Sequence, residues 1–96
     1  MGVTTMVNVH LTITGRVQGV GFRWGTLRLA QRLGITGFVR NQADGTVYVE
    51  AQGQDEAVAT FIRQLAAGPT PYAVVDQIKQ TTGPRADYGD QFTVRA

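Results

Sequence analysis

The chain has 96 residues, 43% of them hydrophobic and 17% charged, with a formal net charge of +2. This length and composition fit a single domain over residues 1–96 and exclude a disordered chain. The chain has no cysteine, no serine and one histidine. It therefore cannot form a disulfide scaffold, a thiolate nucleophile, a Ser-His-Asp triad or a metal site with paired histidines. No apolar run approaches the roughly 20 residues of a membrane span, so we expect a cytoplasmic protein with no membrane contact. We also expect a monomer, with no metal or other cofactor.

Residues 1–43 predict a strand, a glycine-rich turn, a helix and a second strand, in that order. Apolar and polar residues alternate over residues 7–14, which is typical of a half-buried strand. Over residues 22–33 the apolar positions recur at helical spacing, and Gly34 is a suitable C-terminal stop. Residues 35–42 form the second predicted strand. This half holds five arginines and no carboxylate, so an anion bound here would meet no local repulsion.

The second half predicts, in order, a third strand, a second helix and two further strands, over residues 47–51, 55–67, 73–80 and 92–95. Asp44-Gly45 favours a tight hairpin turn, and Gly68-Pro69 ends the helix. The blurred alternation over residues 73–80 indicates a β-bulge. This order predicts an α+β, ferredoxin-like βαββαβ sandwich. Its mainly antiparallel sheet has two helices on one face and a short extra C-terminal strand.

The outward face of the predicted sheet carries His10, Tyr48 and Glu50. Their alternation with apolar residues predicts that Tyr48 and Glu50 are solvated and that His10 is an uninvolved residue of this face. Residues 1–6 and the loop around residues 83–89 are predicted to be flexible.

The segment between the first strand and the first helix reads GRVQGVGFR over residues 15–23. Glycines let the main chain curl so that several N–H groups converge, and the helix N-terminus adds partial positive charge. Arg23 can bring a guanidinium fork to the same anion. A glycine-rich turn alone often only turns the chain, and the Gly-Lys-Ser/Thr ending of a Walker loop is absent. The candidate phosphate-binding residues are Gly15, Arg16, Val17, Gln18, Gly19, Val20, Gly21 and Phe22.

A second polar segment reads GFVRN over residues 37–41 and is followed by DGTV over residues 44–47. Asn41 ends the second strand beside the hairpin, and it has two interpretations. An asparagine in this place commonly caps the turn through local backbone hydrogen bonds. Alternatively, its amide is both donor and acceptor and holds a water molecule. The residues alone leave both open.

GRVQGVGFR, and GFVRN with DGTV, resemble the two sequence motifs of the acylphosphatases, small hydrolases of carboxyl-phosphate anhydrides. The resemblance extends over about residues 7–95, with both motifs at the family's spacing. It implies metal-independent hydrolysis of an acyl phosphate to a carboxylate and inorganic phosphate. It also implies that Arg23 is the catalytic phosphate-binding arginine, that Asn41 positions the attacking water, and that loop amides cradle the phosphoryl oxygens. Phe38 stands where the family often has tryptophan, and Trp24 is assigned no role.

The resemblance further implies a small acyl phosphate as the substrate, inorganic phosphate or sulfate as competing anions, and no nucleic acid. Two alternatives remain. A ferredoxin-like RNA-binding module would share the topology, but it requires outward aromatic side chains, and the third strand offers only Tyr48. An acylphosphatase-like domain acting on carbamoyl phosphate within a larger enzyme would share the motifs, although a chain of 96 residues is short for that role.

Overall fold

The computed structural model describes residues 5–96 and places them in five strands and two helices. These are β1 (Met6–Arg16), α1 (Phe22–Leu33), β2 (Thr36–Asn41), β3 (Val47–Gln54), α2 (Asp55–Ala67), β4 (Val74–Thr82) and β5 (Phe92–Arg95). The strands form one sheet in the order β4-β1-β3-β2-β5. All neighbouring strands are antiparallel except β2 and β5, which are parallel. The predicted ferredoxin-like α+β fold is confirmed. Of the residues 1–6 predicted to be flexible, residues 1–4 lie outside the described part of the chain.

The core lies between the sheet and the two helices. Alternate residues of the central strands face the helices, and Leu11, Ile13 and Val49 among them are fully buried. Ala30 of α1 and Phe61 of α2 close this layer from the other side. Removing this apolar surface from water is the main stabilising contribution to the fold. Both helices therefore cover one face of the sheet.

The ends of the helices follow local chemistry. The N-cap of α1 is Gly21 and its C-cap is Gly34, and both residues have left-handed backbone conformations. The N–H of Gly34 donates to carbonyl groups of the last turn, which is a common way for a helix to end. In α2, Asp55 and Glu56 occupy the first turn, where carboxylates interact favourably with the positive end of the helix. The predicted limits of α1 are confirmed.

An irregularity interrupts the pairing of β1 with β4 close to the glycine-rich turn. Thr14 pairs with Gln77, whereas the next residue, Gly15, pairs with Val75, so Asp76 is an extra residue in β4. This is the β-bulge predicted from the blurred alternation. A bulge bends its strand and increases the local twist, so it directs the end of β1 as the chain enters the turn.

The face of the sheet opposite the helices is crossed by the segment between β4 and β5. The amide of Gln52 forms two hydrogen bonds with the main chain of Ala86, of 2.9 and 2.8 Å. The hydroxyl of Tyr88 donates to the Glu50 carboxylate at 2.7 Å, and that of Tyr48 donates to the same group at 2.6 Å. The prediction that Tyr48 and Glu50 are solvated is therefore wrong, because alternation along a strand does not reveal a segment that covers it.

The same segment bears on the RNA-binding alternative. Tyr88 packs edge-on against Phe38 of β2, with ring centroids 6.3 Å apart. The guanidinium of Arg95 lies 3.8 Å from the centre of the Phe38 ring. These contacts occupy the aromatic surface of the central strands, so bases have no open stacking platform there.

Candidate active site

The chain turns between the end of β1 and the start of α1 over residues 17–21. Gly19 and Gly21 have φ angles of 74° and 73°. Glycine adopts this left-handed region without the strain that a Cβ would impose. The turn forms one wall of a cavity of about 200 Å³. The cavity is lined by Val17, Gly19, Gly21, Phe22, Arg23, Trp24 and Asn41.

The turn and the start of α1 contain main-chain N–H groups that lack hydrogen-bond partners in the described main chain. The N–H of Gly25 donates to the carbonyl of Gly21 at 3.0 Å, which is the first hydrogen bond of α1. The amides of residues 22–24 therefore have no partner within the helix. No turn or loop hydrogen bond to the described main chain engages the N–H groups of residues 18–21. Unpaired amides and the positive end of a helix together favour an anion.

Arg23 lies in the first turn of α1 and is half-buried. Its Nη1 donates a hydrogen bond of 3.0 Å to the main-chain carbonyl of Arg95 in β5. A guanidinium has five N–H donors, so four remain for a ligand. Within residues 5–96, no carboxylate forms an ion pair with this guanidinium. Arg23 is thus held in place while its charge stays available to the cavity.

Asn41, the last residue of β2, lines the same cavity. Its Oδ1 is buried and has no hydrogen-bond partner among the described residues. Asp44 caps the hairpin turn instead, since its carboxylate accepts from the hydroxyl and the N–H of Thr46 at 2.6 and 3.0 Å. These bonds lower the pKa of Asp44 below its ordinary value. Asn41 therefore does not cap the turn, and its buried oxygen is one of the uncommon unpaired acceptors in a folded protein.

Two side chains outside the cavity lining hold the turn from either side. Nε2 of Gln18 donates to the carbonyls of Gln42 and Thr46, at 2.8 and 2.9 Å, and so fixes the turn to the β2–β3 hairpin. The hydroxyl of Thr70, beyond α2, donates to the carbonyl of Val20 at 2.9 Å. The turn is thereby held in a curled conformation before any ligand arrives.

The structure brings Arg23 and Asn41 together with some of the candidate loop residues and leaves others apart. Gly15 and Arg16 belong to β1 and pair with β4, so they do not line the cavity. Gln18 and Val20 also lie outside the lining, and both are used in bracing the turn. The candidate loop residues that do line it are Val17, Gly19, Gly21 and Phe22.

Two contributors to the site are missed by sequence reasoning. Trp24 lines the cavity, and its place beside Arg23 in the first helical turn is the only signal of this in the sequence. Arg95 contributes its main-chain carbonyl, which carries no signal because any residue has one.

The chemistry of the lining favours an anion. It has one positive charge, from Arg23, and no carboxylate, thiol or imidazole. In the part of the chain that the structure describes, no three His, Cys, Asp or Glu side chains are grouped so that they could bind a metal ion. Over the same residues, no helix has the length and apolar character needed to cross a bilayer.

The chain is similar to known proteins over most of its length. The sequence profile of the family described as Acylphosphatase matches residues 9–94. The acylphosphatase of Latilactobacillus sakei (strain 23K) is 53% identical over 73 residues, which cover 76% of this chain and 79% of that protein. The acylphosphatase of Ligilactobacillus salivarius (strain UCC118) is 45% identical over 85 residues, or 88% of this chain and 94% of that one. The crystal structure of the Bacillus subtilis acylphosphatase is similar with a TM-score of 0.88 and 29% identity, over 94% of this chain and 99% of that chain.

Proposed function

The chain belongs to the acylphosphatase family and is a hydrolase of acyl phosphates, and from that premise we propose that Arg23 binds the phosphoryl group and that Asn41 holds the attacking water. The observation that carries this proposal is the presence of both side chains, from α1 and β2, in the lining of one cavity with the glycine turn. In the reaction, the water oxygen bonds to phosphorus as the bond from phosphorus to the acyl oxygen breaks. The carboxylate leaves with the bonding electrons, and inorganic phosphate is formed.

Arg23 and the amides of the turn act on the phosphoryl oxygens. In a loose transition state the negative charge spreads over the three non-bridging oxygens of the phosphoryl group. Donors already in place stabilise that charge without reorganising during the reaction. The hydrogen bond to the Arg95 carbonyl and the braces from Gln18 and Thr70 support such preorganisation.

Asn41 acts on the nucleophile. A water molecule that donates a proton to Oδ1 of Asn41 satisfies an acceptor that is otherwise buried and unpaired among the described residues. The same hydrogen bond directs a lone pair of the water toward phosphorus, and such orientation lowers the entropic part of the barrier. Because the attacking and leaving oxygens lie roughly in line, the acyl group departs on the side away from Asn41.

The leaving group and the water proton need no further side chain. A carboxylic acid has a pKa of about 4 to 5, so the carboxylate leaves without protonation. We assign the proton lost by the water to a phosphoryl oxygen of the substrate, since the cavity lining contains no carboxylate or imidazole to accept it. The proposed route relies on groups of the chain and substrate only, with no metal or other cofactor.

The proposal extends to partners and location. Inorganic phosphate and sulfate match the product in shape and charge, and we expect both to compete with the substrate. We propose a monomer as the active form, because one chain supplies both residues to which the reaction is assigned. We also propose a cytoplasmic location, because an anionic acyl phosphate does not cross a bilayer unaided.

The test is hydrolysis of benzoyl phosphate in the presence of a chelator. We expect Arg23→Ala to lower kcat/KM by a factor on the order of 10³ and to abolish inhibition by phosphate, because a preorganised charge is lost. Arg28→Ala, which removes an exposed arginine of the same helix outside the cavity lining, is the matched control and retains activity. Full activity in Arg23→Ala would overturn the assignment. Faster turnover of carbamoyl phosphate than of acetyl phosphate would favour the alternative substrate.

A further inference from the structure

The rim of the cavity carries one large side chain that has no part in the proposed reaction, that of Trp24. Four large hydrophobic residues of the described chain are exposed: Met6, Trp24, Tyr72 and Val74. Of these, Trp24 lines the cavity that contains Arg23 and Asn41, and its side chain is 59% exposed. An indole left in water at this place offers apolar surface to whatever the cavity binds.

The other lining residues leave Trp24 as the side chain available to the acyl group. Val17 and Phe22 are part of the core, with 1% and 2% of their surface exposed. Two more lining residues are glycines and have no side chain. The remaining two carry the phosphoryl group and the water in the proposed function.

The direction of the reaction bears on where the acyl group lies. The water is held at the end of β2, so an in-line leaving group departs away from that wall. Trp24 lies in α1, next to the arginine that binds the phosphoryl group. Because Trp24 lines the same cavity and is exposed, its indole is the apolar surface that a leaving acyl group can meet there.

We propose that Trp24 binds the acyl group and makes the protein select acyl phosphates with aromatic or extended apolar acyl groups over acetyl phosphate. The inference rests on the proposed function, because it assumes the phosphoryl position described above. A phenyl ring placed against the indole removes apolar surface of both from water, and aromatic pairs gain further stabilisation. The methyl group of acetyl phosphate is too small to cover the indole in this way.

The first test is of binding and does not depend on turnover. Phenacylphosphonate and acetonylphosphonate are non-hydrolysable analogues of benzoyl and acetyl phosphate, with a methylene in place of the bridging oxygen. Trp24 is the single tryptophan of the chain, so its fluorescence reports contact with the ligand. We expect phenacylphosphonate to quench this fluorescence and to bind about tenfold more tightly than acetonylphosphonate. Equal affinities for the two analogues would overturn the proposal.

The second test separates KM from kcat. We expect Trp24→Ala to raise KM for benzoyl phosphate about tenfold, and to lower kcat/KM for acetyl phosphate by a much smaller factor. Trp24→Phe keeps an aromatic ring and retains most of the preference. Tyr72→Ala removes an exposed aromatic side chain outside the lining and serves as the control. An equal loss with both substrates, or no loss with benzoyl phosphate, would overturn the proposal.

The two proposals fail in different ways. If the wild type hydrolyses neither substrate, or if Arg23→Ala keeps its activity, the proposed function fails and the acyl subsite fails with it. If Arg23→Ala is inactive while Trp24→Ala treats both substrates as the wild type does, only the acyl subsite fails.

Discussion

The side-chain amide of Gln18 donates a hydrogen bond of 2.8 Å to the main-chain carbonyl of Gln42, and so joins the glycine turn to the residue that follows Asn41. The same nitrogen donates to the carbonyl of Thr46 at 2.9 Å. The two walls of the cavity come from separate parts of the chain, one from the turn before α1 and one from the β2–β3 hairpin. Their spacing therefore depends on this amide.

Replacing Gln18 should affect both stability and catalysis. We expect Gln18→Leu to lower the free energy of unfolding by about 1 to 2 kcal/mol, because two hydrogen bonds are lost at similar side-chain volume. We also expect a lower kcat, because the water and the phosphoryl group are no longer held at a fixed spacing. Urea denaturation and benzoyl phosphate kinetics measure the two effects. Gln31→Leu, on the exposed face of α1, is the control. Wild-type values of both quantities in Gln18→Leu would show that the brace is unimportant.

Replacing Asn41 should lower the activity without lowering the stability of the fold. Its Oδ1 has no partner among the described residues, so Asn41→Ala removes no hydrogen bond that this oxygen makes within the fold. We expect an unchanged or higher thermal midpoint together with a fall in kcat of about 100-fold, since the water loses its orientation. Inhibition by phosphate should stay close to that of the wild type. A variant that unfolds more easily but keeps its kcat would mean that Asn41 serves the fold rather than the reaction.

The pKa of Glu50 predicts how the stability of the fold changes at acidic pH. Burial alone would raise the pKa of Glu50, but hydrogen bonds from Tyr48 and Tyr88, with His10 and Arg95 nearby, hold that pKa below its usual value of 4.5. A carboxyl whose pKa is lowered by folding stabilises the fold above its usual pKa, and this stabilisation is lost as pH falls through the lowered value. The free energy of unfolding should therefore decrease below about pH 4.5.

Urea denaturation between pH 3 and 6 measures this dependence, with about half-unit steps. Glu50→Gln should show a smaller decrease in the free energy of unfolding at low pH, because the glutamine amide does not titrate. Glu56→Gln, at an exposed position in α2, should show the same decrease as the wild type. An equal decrease in Glu50→Gln and the wild type would contradict the expectation.

The pKa of Tyr48 predicts how the stability of the fold changes at alkaline pH. Burial, with the hydrogen bond to Glu50 and the charge of that carboxylate, raises the pKa of Tyr48 to about 12 from 10.0. The protonated phenol is thus favoured in the folded state, and the stabilisation present below pH 10 is lost as pH rises through about 12. Circular dichroism in urea between pH 9 and 12 should show a weaker alkaline loss in Tyr48→Phe than in the wild type. Tyr72→Phe, at an exposed tyrosine, should lose stability as the wild type does.

Much of the fold could be predicted because its causes are local. Apolar spacing and a terminal glycine determine α1, and the Asp44-Gly45 turn determines the hairpin. The glycine turn and Arg23 are contiguous in the chain, so one motif is enough to place them together. Asn41 belongs to a second motif, so its place in the site could be predicted only by combining both motifs with the topology of the sheet.

The remaining features depend on contacts between distant segments. The pairing of Gln52 with Ala86 covers the outward face of the sheet, and the alternation along β3 contains no sign of it. The amide of Gln18 is as polar as that of any loop glutamine, and only the fold shows which carbonyls it reaches. The contribution of Arg95 is a main-chain carbonyl, which no side-chain pattern can indicate.

A crystal structure of the wild type with inorganic phosphate bound would test the phosphoryl site without any assay of turnover. We expect the phosphate in the cavity of the glycine turn, with the guanidinium of Arg23 and N–H groups of residues 18–24 about 2.7 to 3.2 Å from its oxygens. The hydrogen bond from Arg23 to the Arg95 carbonyl should persist. Phosphate bound elsewhere while this cavity holds none, or an Arg23 guanidinium directed into bulk solvent, would contradict the assignment of the site.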